Sequence, residues 1–330
     1  MRWLRAVLSL LKWTLCAVGA VALILAAMIA TPLQRPPELR SVSDSAKGID
    51  WSTLPQLERF QARDGTWLGF RHYEAKGGAA ERGAIFIHGS SATVNHALTA
   101  ALAARGVETW ALDIRGHGAS GTRGDIFHVG QLEDDLVDAV AEIRKRAPDV
   151  PLTLVGHSAG AGFALRIAAT PIVQDLFVRT VLIAPYLGYD APTNVAQSGG
   201  WASPDIPRIL GLAALRKLGI DCCAQLPVLA FAVPPNTEKL LTATYSDRLM
   251  RNFATRGYRL DLPAVKQPMT VFGGTDDEMM ISANYAAAVQ ALKPSIDVKL
   301  IEGVNHMGMV TAPKAVNAIA EDVATRGGQP

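Results

Sequence analysis

The feature that most constrains the fold is a serine between two glycines at the end of an apolar stretch. Leu152–His157 is rich in apolar and β-branched residues, and residues 159–167 follow with helical spacing. This order predicts a buried strand, a tight turn and a helix. Ser158 in that turn must adopt a strained backbone conformation, which leaves no room for side chains at Gly156 and Gly160. The sequence therefore predicts a serine hydroxyl raised above the sheet edge at a helix N-terminus.

Signals for strands and helices alternate from residue 83 to 184 and resume from residue 267 to 325. Such alternation predicts an α/β fold with a mostly parallel central sheet and helices on both faces. The predicted core comprises residues 57–185 and 264–330. Residues 186–263 are broken by Pro and Gly, and we interpret them as a helical lid inserted over the carboxyl ends of the strands. Ligands bind at that edge in sheets of this kind.

The N-terminus, residues 1–33, is predicted to be a transmembrane anchor. Basic residues up to Lys12 precede about twenty uncharged residues, which is enough to cross a hydrocarbon core as a helix. Basic residues on that side favour a cytoplasmic N-terminus, with the catalytic domain on the periplasmic side of a bacterial inner membrane. The alternative is a cleaved signal peptide and secretion, for which Met28-Ile29-Ala30 is a poor cleavage site. Residues 34–56 are interpreted as a linker.

Composition excludes several other classes of function. The formal net charge of +2 gives no argument for nucleic-acid binding. Three cysteines do not make a disulfide framework, and the redox state of the adjacent Cys222 and Cys223 stays open. Neither an H-E-x-x-H motif nor a paired Cys/His cluster is present, so no metal is predicted. No cofactor is required by the chemistry described next.

A serine nucleophile needs a base that takes its proton and a carboxylate that orients the base. His306 is the only histidine after Ser158 and lies between a predicted strand and the last helix, so it is predicted to be the base. The acid is expected in the loop that contains Asp276, Asp277 and Glu278. The spacing from the strand start favours Asp277, with Asp276 as the runner-up.

Two N–H donors are needed for the oxyanion of an acyl transfer. One is predicted to be the N–H of Ala159, directly after the nucleophile, and the other the N–H of Ser90, directly after His88-Gly89. His88 and His117 are interpreted as residues that shape loops, and His157, with its side chain expected to point away from Ser158, as a structural residue.

With these residues, the chain resembles the α/β-hydrolases. Within that superfamily it is similar to the serine aminopeptidase, monoacylglycerol lipase and lysophospholipase-like group. The matching motifs are His88-Gly89-Ser90, Asp113 to Ser120, Gly156 to Gly160, Gly274 to Asp277, and Asn305-His306. The resemblance covers roughly residues 57 to 324 and implies the α/β-hydrolase fold and an acyl-enzyme mechanism. Residues 186–263 match no pattern of these families, so the resemblance leaves the substrate open.

Taken together, the sequence predicts a membrane-anchored serine hydrolase of carboxylic esters with an apolar acyl group, such as lysophospholipids or monoacylglycerols. Tyr186 and Trp201 are candidate substrate contacts, although aromatic residues of the insertion could equally pack a small helical subdomain. One alternative is a peptidase or amidase with the same triad. The other is a non-catalytic, membrane-anchored binding protein that has kept the hydrolase fold.

Overall fold

In the computed structural model, residues 2–46, 51–91, 96–234, 237 and 241–326 are described. The strands within these ranges, numbered in chain order, are β1 Leu57–Gln61, β2 Trp67–Tyr73, β3 Arg82–Ile87, β4 Val107–Leu112, β5 Leu152–His157, β6 Arg179–Ile183, β7 Ala202–Pro204, β8 Pro227–Phe231, β9 Thr244–Ser246, β10 Met269–Gly274 and β11 Asp297–Ile301.

The α-helices found in the described residues, numbered in the same way, are α1 Arg2–Ile29, α2 Arg40–Ala46, α3 His96–Ala103, α4 Gln131–Arg144, α5 Ala159–Ala168, α6 Pro171–Gln174, α7 Ile206–Lys217, α8 Asp247–Asn252, α9 Tyr258–Ala264, α10 Tyr285–Gln290, α11 Gly308–Thr311 and α12 Pro313–Arg326.

Eight strands form the main sheet in the order β1-β2-β4-β3-β5-β6-β10-β11. From β4 to β11 all neighbours are parallel, and β1 and β2 are antiparallel additions at one edge. Strands β1 and β2 form a hairpin through Asp64-Gly65, with Gly65 at φ 82° in the turn. A mostly parallel sheet brings the carboxyl ends of its central strands to one edge, where the candidate site residues lie.

Both faces of this sheet are buried. Ile85 and Ile87 of β3 belong to a core that also holds Leu132 and Leu136 of α4. The alternate residue Phe86 belongs to a second core with residues of α3, α11 and α12. Because successive side chains of a strand point to opposite faces, a strand buried on both faces is apolar at every position. The predicted α/β fold is confirmed.

The insertion (residues 186–263) lies between β6 and β10, and it is not purely helical. Strands β7, β8 and β9 form a second, antiparallel sheet, with α7, α8 and α9 around it. Two of these strands have three residues each. Strands so short show no readable alternation, so the sequence suggested only apolar runs broken by Pro and Gly. The expectation of a helical insertion is therefore incomplete.

The helix α1 is the one helix in the described residues that is long and apolar enough to cross a membrane. It ends at Ile29, a few residues before the predicted end of the span. Its C-terminal end packs on α7, where a Cβ at Gly211 would lie 3.1 Å from Ile29. Beyond it, the segment interpreted as a linker contains α2, and the Leu39 N–H donates to the Ala232 carbonyl of the insertion at 3.3 Å.

Candidate active site

The strand–turn–helix around Ser158 has the predicted form. Ser158 follows β5 directly, precedes α5 and has φ 55° and ψ −119°, a combination that is rare for a residue with a side chain. A Cβ at Gly160 would lie 2.2 Å from the His88 carbonyl oxygen, and one at Gly156 would lie 2.4 Å from the Gly160 carbonyl oxygen. Both distances are impossible for real atoms, so glycine is required at each flank. The backbone therefore packs so closely before and after Ser158 that the turn can form only with glycine at both positions.

His306 and Asp277 are brought together by the loops that follow the neighbouring strands β11 and β10. The His306 Nδ1 lies 2.9 Å from Asp277 Oδ2, and both side chains are buried. The Asp277 Oδ1 accepts the backbone N–H groups of Met279 and Met280 at 2.9 and 2.8 Å. With Nδ1–H donated to the carboxylate, the imidazole keeps its Nε2 lone pair free to accept a proton.

Asp276, the runner-up acid, lies elsewhere. Its carboxylate is exposed and accepts a hydrogen bond from the hydroxyl of the preceding Thr275 at 2.9 Å. Glu278 does not point into solvent as a plain loop charge would. Its Oε2 accepts the backbone N–H of His306 at 3.1 Å. In the sequence, only the position of Glu278 next to Asp277 indicated that it could contact His306.

His157 supports the same imidazole from the other side. The rings of His157 and His306 lie 4.9 Å apart, and the His157 Nε2 donates to the His306 carbonyl at 3.3 Å. Burial holds the pKa of His157 well below its usual value, and the neighbouring His306 adds to this. His157 is therefore neutral, and its contacts fit the predicted structural role.

The predicted oxyanion donors belong to two segments that meet at Ser158. Ala159 is the first residue of α5, so its N–H lies at the positive end of the helix dipole. Ser90 lies in the loop after β3, whose Gly89 approaches so closely that a Cβ there would be 3.3 Å from the Ser158 Cβ. The Ser90 hydroxyl accepts the indole N–H of Trp201 at 2.8 Å. This bond between loop and insertion had no signal in the sequence.

His88 and His117 lie beneath this loop as neutral, buried groups. The His88 Nδ1 donates to the Gly89 carbonyl at 2.7 Å, and its Nε2 accepts the Ile114 N–H at 3.1 Å. Burial lowers the pKa of His88 to about 4 and that of His117 well below its usual value. The hydrogen bonds of His88 join the loops after β3 and β4, and His117 bonds within the loop after β4, in agreement with the predicted shaping role.

The two candidate substrate contacts have different surroundings. Tyr186 is partly buried, and its N–H donates to the Ser158 carbonyl at 3.1 Å, so it lies against the serine turn. Burial raises the pKa of Tyr186 to about 12. Trp201 is 8% exposed and packs on Phe231. Among the described residues, no group of three or more His, Cys, Asp or Glu side chains is placed to hold a metal ion.

The family model for serine aminopeptidase, S33, matches residues 80–310, a range that contains Ser158, Asp277 and His306. The chain belongs to this family. A monoglyceride lipase homolog of Monkeypox virus is 26% identical over 210 residues, which is 61% of this chain and 72% of that protein. Monoglyceride lipase of Mus musculus is 29% identical over 153 residues, which is 45% of this chain and 48% of that protein.

Solved structures agree with this assignment at the level of the fold. A soluble variant of monoglyceride lipase from Saccharomyces cerevisiae, in complex with a substrate analog, matches with a TM-score of 0.63 and 16% identity, over 84% of this chain and 96% of that one. A membrane phospholipase A, described as a bacterial virulence factor, matches with a TM-score of 0.53 and 18% identity, over 97% of this chain and 98% of that one. The predicted α/β-hydrolase fold, the monoacylglycerol lipase-like group and the class of carboxylic ester hydrolase are confirmed.

Proposed function

We propose that the protein is a membrane-anchored serine esterase that cleaves lipid esters through an acyl-enzyme. The observation that carries this proposal is the joint placement of Ser158 and the His306–Asp277 pair at the carboxyl edge of the sheet. Ser158 has the strained conformation of a raised nucleophile, and the 2.9 Å contact between His306 and Asp277 leaves Nε2 as the proton acceptor. This arrangement is what a hydroxyl needs in order to attack an acyl carbonyl.

In the proposed mechanism, Ser158 attacks the ester carbonyl while His306 takes its proton. Asp277 fixes the tautomer and stabilises the imidazolium that forms. The N–H groups of Ala159 and Ser90 bind the negative charge on the former carbonyl oxygen. His306 then protonates the leaving alcohol, and a water molecule activated by the same base releases the acid.

Lipid esters are proposed as substrates for two reasons. Two similar proteins are named as a monoglyceride lipase and a monoglyceride lipase homolog, and the backbone of the partly buried Tyr186 lies against the serine turn. We place the acyl chain between Tyr186 and the insertion face that bears Trp201. Monoacylglycerols and lysophospholipids both have the single acyl chain and free hydroxyl group that such a site would accept.

The membrane part of the proposal rests on how α1 meets the insertion. The Thr31 hydroxyl donates to Asp205 at 2.7 Å, and the Arg208 guanidinium donates to the Ile29 carbonyl at 2.8 Å. Next to this contact, Ile206 and Leu210 of α7 are more than half exposed. With α1 spanning the bilayer, these apolar side chains would lie at its surface, and lipid substrates would reach the site from there. We propose a periplasmic catalytic domain, since basic residues precede the span.

The test uses the full chain in lipid vesicles, with p-nitrophenyl esters from acetyl to palmitoyl and a monoacylglycerol as substrates. We expect hydrolysis by the wild type and a loss of several orders of magnitude for Ser158→Ala. Fluorophosphonate should label the wild type alone. Equal activity of the two proteins, or no turnover and no labelling, would refute the esterase. Turnover of aminoacyl p-nitroanilides in place of esters would establish the peptidase instead.

A further inference from the structure

The loop that carries the second proposed oxyanion donor takes its position from the insertion. Besides the bond between Trp201 and the Ser90 hydroxyl, the Ser91 N–H donates to the Tyr245 hydroxyl at 3.1 Å. The Ser91 carbonyl accepts the Thr242 N–H, also at 3.1 Å. Two consecutive loop residues are thus bonded to three residues of the insertion, through two side chains and one backbone group.

The donor and acceptor roles of the Tyr245 hydroxyl are both defined by its neighbours. It lies 2.5 Å from His117 Nε2, and burial keeps His117 neutral. The other ring nitrogen, Nδ1, donates to the Ile114 carbonyl at 3.2 Å, so Nε2 is the acceptor. The hydroxyl therefore donates to His117 and accepts from Ser91, and a rotation would lose one of these bonds. Such a group, fully buried and doubly bonded, can hold a backbone N–H in one place.

Ser91 needs such a support because its backbone is strained. Its φ is 67°, a region that costs free energy for a residue with a side chain. The Tyr245 ring is in turn fixed by its neighbours, with centroids 4.6 Å from Phe231 and 5.1 Å from His117. The strained conformation of Ser91 persists because its N–H is bonded to the Tyr245 hydroxyl, and the Tyr245 ring is held by Phe231 and His117.

We propose that Tyr245 is a positioning residue for the oxyanion donor of Ser90, with the Trp201 indole as the second support. This inference rests on the proposed function, since it takes Ser90 as a donor. Loss of one oxyanion donor lowers turnover by about 10²–10³ in a well-studied protease. Displacing a donor costs less than removing it, so we expect Tyr245→Phe to lower kcat by about 10- to 100-fold, with KM changed by less than about threefold.

The test compares the full-length wild type, Tyr245→Phe and Trp201→Phe on p-nitrophenyl butyrate, with kcat expressed per site titrated by fluorophosphonate. Tyr258→Phe, which removes a hydroxyl from another buried tyrosine of the insertion, is the matched control. The second readout is the inhibition constant of a trifluoromethyl ketone, which forms a tetrahedral oxyanion on the serine. A positioning role predicts that affinity for this ketone and kcat/KM fall by the same factor.

A purely structural role for Tyr245 would lower the melting temperature or the titratable fraction while kcat per titrated site and the ketone affinity stayed unchanged. That result would overturn the inference. If Tyr245→Phe does not fold, Trp201→Phe tests the same loop through Ser90, and unchanged kcat and ketone affinity there would also overturn it. A wild type no more active than Ser158→Ala would instead refute the proposed function, so the two failures are distinguishable.

Discussion

The two halves of the candidate site are supported by different parts of the molecule. Asp277 and His306 lie on loops of the core, and the insertion reaches the acid loop through main-chain bonds such as that from the Val195 N–H to the Met279 carbonyl at 3.2 Å. The loop of Ser90 and Ser91, the proposed oxyanion loop, has one main-chain bond to the insertion, from the Thr242 N–H, and otherwise depends on the side chains of Trp201 and Tyr245. Main-chain bonds survive most substitutions, whereas side-chain bonds do not. Changes in the insertion should therefore affect stabilisation of the oxyanion far more than proton transfer.

The largest effect on kcat is expected from a substitution in the half of the site that the core supports, Asp277 and His306. Asp277→Asn should lower kcat by about 10⁴, the loss seen for the same change in a serine protease, because an amide favours the wrong imidazole tautomer. Asp276→Asn, whose carboxylate is exposed, should change kcat by less than about threefold. Steady-state hydrolysis of p-nitrophenyl butyrate measures both. Comparable losses in the two variants would contradict the assignment of the acid.

A pH-dependent effect is expected from the oxyanion half. Burial lowers the pKa of His88 to about 4, below the unfolded value of about 6.5. Between these values the unfolded chain binds a proton that the native state does not. The stability that comes from neutral His88 is therefore complete above pH 6.5 and is lost as the pH falls to 4, by about 3 kcal/mol.

Urea unfolding at pH 7 and pH 4.5 checks this expectation. The loss of free energy of unfolding between the two pH values should be smaller in His88→Gln than in the wild type. His128→Gln, at an exposed histidine, should behave as the wild type does. An identical pH dependence in all three proteins would show that His88 titrates normally.

The smallest effect is expected at Thr242. Its hydroxyl donates to the Gly116 carbonyl at 3.0 Å, but its N–H, which bonds Ser91, is unchanged in Thr242→Val. We expect a loss of about 1 kcal/mol in unfolding free energy and a change in kcat of less than about threefold. Thermal unfolding and kinetics measure these, with the exposed Thr325→Val as control. A large loss of kcat would mean that the hydroxyl supports the loop as Tyr245 does.

The sequence was informative where chemistry imposes a pattern. Gly156 and Gly160 flank Ser158 because any side chain there would clash, and such a requirement is visible in the residues themselves. The contact between Asp277 and His306 agrees with the spacing from the strand start, although the catalytic roles stay a proposal. Ser158, Asp277 and His306 each follow a strand that is long enough to be recognised by its apolar run.

Other features had no pattern to reveal them. Ser91 and Tyr245 are 154 positions apart, and Tyr245 lies in a three-residue strand of an insertion without family motifs. The helix α2 has polar residues with weak helix propensity and packs against the core through Val42. Tertiary contacts determine both features, and a local reading of residues 34–56 or of the insertion cannot supply those contacts.

If α1 spans the bilayer as proposed, its contact with α7 would link the membrane to the active site. Asp205, which bonds Thr31, and Trp201, which bonds Ser90, lie at the two ends of the three-residue strand β7. A spanning helix tilts to match the thickness of the surrounding bilayer. Through β7, that tilt would reach the oxyanion loop. Membrane thickness would then act on the rate of the reaction itself, and the same protein would turn over its substrate at different rates in thin and thick bilayers.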